Sequence, residues 1–120
     1  MTIAITELRR KHCAPCEGLR SALPAEEVHH LLNGTPDWKL SADGKCIRRE
    51  WRVKDFPTAL DFFARVGVIA EEEDHHPDLH LTGYRNAAIE LSTHAVGGLT
   101  ENDFILAAKI DGLSVELKKN

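Results

Sequence analysis

Near Asp55 the apolar period of the chain switches from two to about 3.6, and this switch limits the fold more than any other feature. Before it, Trp38-Lys39-Leu40 and Ile47 to Val53 alternate on either side of Ala42-Asp43-Gly44-Lys45, where Asp-Gly signals a hairpin. After it, Phe56, Ala59, Leu60, Phe63, Gly67 and Ala70 recur at helical spacing, with Asp55 suited to cap the first turn and Pro57 tolerated within it. A second apolar line, Phe62, Val66 and Ile69, exceeds what a one-sided surface helix needs and is expected to meet another subunit.

A second unit of the same kind follows. Leu79-His80-Leu81 and Ala87 to Thr93 read as strands turning around Gly83-Tyr84-Arg85-Asn86, and Gly97-Gly98 breaks the chain before a last helix. Thr100-Glu101-Asn102-Asp103 has the form of a capping box with Asp in the last place, and Phe104 to Ile110 continues as an apolar helical run. Upstream, Pro24, the stripe Val28, Leu31 and Leu32, and Gly34 mark a short amphipathic helix. Residues 1–20 lack periodicity and read as a partly ordered arm, leaving residues 21–120 as the domain. Its order is α-β-β-α-β-β-α, an α+β two-layer sandwich with a four-stranded antiparallel sheet and its helices on one face.

With 42% hydrophobic and 28% charged residues, 120 positions suit one globular domain. A net charge of -4 and a pI near 5.9 argue against sequence-independent nucleic-acid binding, which needs a basic stripe. The short basic-aromatic stretch Arg48 to Arg52 alternates and reads as a half-exposed strand. No apolar run reaches the length of a membrane span, and Met1 to Glu7 meets charge too soon for a signal peptide, so a cytoplasmic protein is expected. The odd count of three cysteines makes no disulfide framework.

The chemistry concentrates in Glu71-Glu72-Glu73-Asp74-His75-His76-Pro77, answered by His94. Imidazole titrates near cellular pH, so a group of three can give and take protons within one cycle. Pro77 disfavours helix at His76, which places the pair at a helix-to-strand junction. Along the later strand Ile89, Leu91 and Thr93 share one face while Glu90, Ser92 and His94 share the other. A strand returning through the turn near Tyr84 brings His94 back toward His75 and His76, with Glu71, Asp74 and Asp103 as candidate orienting carboxylates. His76 and His80 have the spacing of a helical zinc pair, but in extended chain they stand about 13 Å apart, too far for one ion. Cys13-x-x-Cys16 lacks a second cysteine pair, so a zinc-binding arm is kept only as an alternative.

At these residues the chain resembles the pterin-4a-carbinolamine dehydratase family: Glu71, then His75-His76-Pro77, Tyr84, His94 and Asp103, with Leu91-Ser92-Thr93-His94 and Gly98-Leu99-Thr100 around them. The likeness runs from about Trp38 to Ile110, and the cysteine arm is similar to a bacterial and plant-like branch. Asp78-Leu79-His80 follows the His-His-Pro where many members have a tryptophan, and Asn102 stands where animal members often carry arginine.

The resemblance implies a hydro-lyase that dehydrates 4a-hydroxytetrahydropterin to quinonoid dihydropterin, as in recycling of a tetrahydrobiopterin-type cofactor. It implies catalysis by His75, His76 and His94, and substrate binding by the same histidines with Pro77, Ser92, Thr93, Ala95 and Val96. It further implies a homotetramer built as a dimer of dimers, with a homodimer as the smaller alternative, and no metal or redox cofactor. Other classes are a binding or dimerisation module, a role animal members play for a homeodomain factor, and a pterin-handling protein outside aromatic amino-acid hydroxylation. Every matched position follows Glu50, so loss of residues 1–18 is expected to leave turnover nearly unchanged.

Overall fold

The computed structural model describes residues 5–13 and 21–119. Four helices, α1 (Ile5–Arg10), α2 (Ala25–Leu32), α3 (Phe56–Glu73) and α4 (Glu101–Asp111), accompany four strands, β1 (Lys39–Leu40), β2 (Ile47–Arg52), β3 (Asp78–Thr82) and β4 (Asn86–Leu91). From α2 onward the order is the expected one. All neighbouring strands run antiparallel in the order β1-β2-β4-β3, so β4 lies inside the sheet and β3 at an edge.

The alternation of β4 sets the two faces. Ala87, Ile89 and Leu91 join Ile47 and Trp51 of β2 in the core beneath the helices. Glu90, Arg48 and His80 occupy the opposite face, where Glu90 accepts from both basic side chains. The helices therefore cover one face, the α+β two-layer arrangement expected. Among the described residues no helix is long and apolar enough to cross a membrane.

Helix α4 is buried almost all round, from Asn102 through Ala108 and again at Ile110, because α1, α2 and α3 all lie against it. Its end is pinned by Asp111, whose Oδ1 accepts from Trp38 Nε1 at 2.9 Å and from Arg49 at 2.6 Å. Burial pushes the Asp111 carboxyl up, partly offset by these two donors. The C-terminal segment returns to β2: Lys118 N–H donates to the Arg52 carbonyl and Lys54 N–H to that of Glu116.

Two expectations are corrected. Phe62 and Val66, assigned to a partner subunit, are fully buried in the core with Ala59 and Ala70, Phe62 meeting Trp51 edge-on at 5.0 Å. Phe56 and Leu60, on the first apolar line, are about half exposed, as is Val68. The sequence holds two apolar stripes on one helix, and periodicity gives their spacing without saying which one faces the sheet. The second correction concerns the supposed arm. Residues 5–10 form a helix whose Leu8 is buried; between α1 and α4, Arg9 Nε donates to the Ala108 carbonyl at 2.7 Å and Lys109 Nζ donates to the Arg9 carbonyl at 2.7 Å. Six residues are too few to show a helical period, which is why the sequence gives no sign of it.

Candidate active site

The site begins with how α3 ends. Asp55 caps its start by accepting from Thr58 N–H at 2.9 Å, and Asp74 closes it in the left-handed conformation at φ 50°, a region Asp tolerates better than most residues. The Asp74 N–H donates to the Glu71 carbonyl and the His75 N–H to that of Ala70, a Schellman closure that fixes the backbone of His75 to the helix. The residue after such a left-handed cap usually turns inward to make an apolar contact. Here the inward residue is His75, its ring only 4% exposed.

A buried imidazole needs partners, and α4 supplies one. His75 Nε2 lies 2.6 Å from Oδ1 of Asp103, which is fully buried. The other oxygen, Oδ2, accepts from the Thr93 hydroxyl at 2.9 Å and from Thr100 N–H at 3.0 Å. A carboxylate can only accept, so His75 donates from Nε2, and its tautomer is set by Asp103. The proton order extends one step further. Thr93 gives its only proton to Asp103, so the Thr100 hydroxyl, 2.8 Å away, donates to Thr93. Three elements thus converge on one carboxylate: the end of α3, the chain after β4 and the capping box of α4.

His94 enters through Thr93. Register in the β3–β4 ladder pairs Asp78 with Glu90, and carried past the ladder it sets His76 level with Ser92 and His75 with Thr93. Beyond Thr93, residues His94–Val96 make a single 3-10 turn, closed by Gly97 at φ 65° and by a bridge between Thr93 and Gly98. His94 and Ala95 are exposed, Ser92 and Val96 half-buried, and Thr93 buried. The alternation that places Thr93 inward and His94 outward is the one read from the sequence.

His76 points outward, its side chain 57% exposed, with Nε2 2.8 Å from Oε1 of a still more open Glu71. Such a pair orients the ring but contributes little stability. His76, Pro77, Glu71 and Leu79 line an open, mainly apolar groove of about 610 Å³ with Val68 and Gly67 of α3. Asp74 contributes its backbone conformation at the helix end. Tyr84 is not brought to the site: it sits in the β3–β4 turn at φ 56°, with the length of β3 between it and His76. His80 pairs with Glu90 at 2.6 Å on the open sheet face, away from His76, as extended chain requires. Among the described residues no group of three or more His, Cys, Asp or Glu is arranged to hold a metal ion.

A second buried carboxylate stands beside the first group. Glu73, the last residue of α3, accepts from Cys13 N–H at 2.7 Å and lies 3.0 Å from the His12 ring and 3.6 Å from Lys109 Nζ. Burial works to raise its pKa, yet these partners outweigh it and hold the carboxyl below its ordinary range. The Cys13 thiol is pushed up to about 12, first by burial and then by Glu73, so it stays protonated near neutral pH and is a poor nucleophile or metal ligand. Cys16, the other half of the suggested zinc pair, lies outside the described residues.

With this geometry in place, comparison with known proteins decides the family. Residues 21–113 match the model of the pterin 4 alpha carbinolamine dehydratase family. The chain belongs to that family. It is 51% identical over 117 residues to pterin-4-alpha-carbinolamine dehydratase 2, mitochondrial, of Arabidopsis thaliana, a match covering 94% of this chain and 62% of the plant protein. The chain thus spans less than two thirds of that relative's length. The fold is also similar to a crystal structure described as a transcriptional coactivator/pterin dehydratase from Brucella melitensis. The TM-score is 0.71 at 32% identity, over 76% of this chain and 96% of that one. The family is the one that the spaced pattern from Glu71 through His75-His76-Pro77 and His94 to Asp103 resembles.

Two residues of this dehydratase-family site escaped the sequence reading. Thr100 reads there as the start of a capping box, and its N–H does donate to Asp103, but the bond of its hydroxyl to Thr93 lies outside that box and has no sequence signal. Glu73 reads as one of four acids on a solvated helix end, and nothing in the run Glu71 to Asp74 says that only the third turns inward.

Proposed function

We propose that this chain dehydrates a 4a-hydroxytetrahydropterin to the quinonoid dihydropterin and water, with His75, His76 and His94 carrying the proton transfers. The observation that supports this best is the buried His75–Asp103 pair, joined through Thr93 to the turn that presents His94. Loss of the 4a hydroxyl needs a proton delivered to the leaving oxygen, and the imine forms as a base takes the N5 proton; the two transfers balance with no electron donor or acceptor. His76 and His94 are open to a small molecule, while His75 offers at most a ring edge, oriented by Asp103. Pro77, Ser92, Thr93, Ala95 and Val96 complete the substrate-binding positions in this reading, with Glu71 and Asp74 in supporting places. The mainly apolar groove beside His76 suits a flat heterocycle in size and lining.

Proton transfer alone accounts for the reaction, so neither metal nor redox cofactor enters it. The test is to follow decay of the carbinolamine with catalytic amounts of purified protein and a chelator present. Faster decay with quinonoid dihydropterin as product is expected, and decay at the uncatalysed rate would remove the proposal. Recycling of a tetrahydrobiopterin-type cofactor in the cytoplasm is the setting this reading favours, and free thiols at Cys13 and Cys46 suit a reducing compartment. The acidic net charge supports a catalyst over a nucleic-acid binder.

A homotetramer, as a dimer of dimers, belongs to the same proposal, but through different residues from those read in the sequence. Phe56, Leu60 and Val68 form the exposed apolar line on α3, and β3 is an open sheet edge through which a homodimer could form instead. Sedimentation at micromolar concentration should give a tetramer, and Leu60→Lys should shift it toward smaller species. A wild-type monomer would contradict both assemblies.

A further inference from the structure

We propose that Glu73 is a positioning residue which, through the strap of residues 9–13, fixes the end of α3 against α4 and thereby holds His75 on Asp103. The bonds of the strap run beside that pair. Glu73 precedes His75 by two residues and Asn102 precedes Asp103 by one. Cys13 joins the two sides, its N–H donating to Glu73 Oε1 at 2.7 Å and its thiol to the Asn102 carbonyl at 3.6 Å. The thiol bond requires the protonated form, which is the form present there.

The rest of the strap follows α4 in the opposite sense to the helix. Arg9 bonds at Ala108 and Lys109, Lys11 pairs with Glu101 at 3.0 Å, and Cys13 ends at Asn102. Lys109 also reaches Glu73 directly at 3.6 Å. Glu73 is 4% exposed, and a carboxylate so buried is retained at a cost unless its donors stay in place. Its donors come from two segments, the strap and α4, so the carboxylate closes only when both are docked. Under this proposal residues 1–18 are not dispensable for turnover, contrary to the expectation from the sequence.

The inference rests on the reading that His75 serves catalysis, and the test separates the two. Glu73→Ala removes the acceptor, Glu73→Gln keeps an amide oxygen for Cys13 N–H, Cys13→Pro removes that N–H, and Cys13→Ala retains it. Turnover constants are measured beside the proton and nitrogen resonances of the His75 ring, assigned by their loss in His75→Gln. Displacing a reacting group by about 1 Å can cost about 100-fold. Glu73→Ala and Cys13→Pro should therefore lose about tenfold in kcat, with KM unchanged within about twofold and the His75 Nε2 proton exchanging faster. Glu73→Gln should recover much of both signals, and Cys13→Ala, which keeps the N–H and loses only the long thiol bond to Asn102, should fall between wild type and Cys13→Pro in both. If Glu73→Ala fails to fold, Cys13→Pro decides. Wild-type kcat and an unchanged His75 proton in a folded variant would overturn the positioning role. If the wild-type protein shows no dehydration, the functional reading falls while the His75 resonances still decide whether Glu73 positions the ring.

Discussion

Replacing Asp103 with alanine should remove most of the activity together with a large part of the stability. The side chain is fully buried and accepts from the His75 ring, the Thr93 hydroxyl and the Thr100 N–H. A buried donor left without a partner costs about 1–3 kcal/mol, and three cannot all find substitutes in so dry a place, so a loss of about 3 kcal/mol is expected in chemical denaturation. Asp103→Asn separates the two effects. Its amide matches the carboxylate in shape, but one end now donates, so either His75 or the Thr93–Thr100 side faces a donor in place of an acceptor. The variant should fold with a smaller loss while kcat falls about 100-fold, the common size of a general acid/base contribution. A folded Asn variant with wild-type kcat would show that the His75 tautomer does not matter.

The histidines themselves should divide by burial. His75→Ala is expected to cost about 100-fold in turnover and also some stability, since it leaves Asp103 with an unmatched buried charge. His76→Ala and His94→Ala remove exposed rings and should slow turnover at least about tenfold, with stability changed by less than about 0.5 kcal/mol. Thermal unfolding beside steady-state kinetics checks the division. An exposed-ring variant with wild-type turnover would remove that ring from the mechanism.

Local rules carried the sequence reading a long way toward this site. Pro77 required α3 to end by His76, a hairpin turn required the strand after Tyr84 to come back, and the period of two required Thr93 and His94 to point in opposite directions. Each is a short-range constraint, and each holds in the structure. What the sequence left undecided depends on distant contacts. Phe62 and Leu60 have equal claim to the core until the twist of the sheet and the position of α4 select one stripe. Glu73 is one acid among four until Cys13 and Lys109 arrive from positions far away in the chain. Asp103 reads as a helix cap and is one, through Thr100 N–H, but its second oxygen is committed to His75, which no local pattern reveals.

The most direct measurement is the rate of 4a-hydroxytetrahydropterin decay by stopped flow, with wild-type protein and with a variant in which His75, His76 and His94 are all replaced by glutamine. Wild-type protein should speed the decay in proportion to its concentration and yield quinonoid dihydropterin, while the folded triple variant should leave the rate at its uncatalysed value. A folded triple variant as fast as wild type would contradict proton transfer by these three histidines.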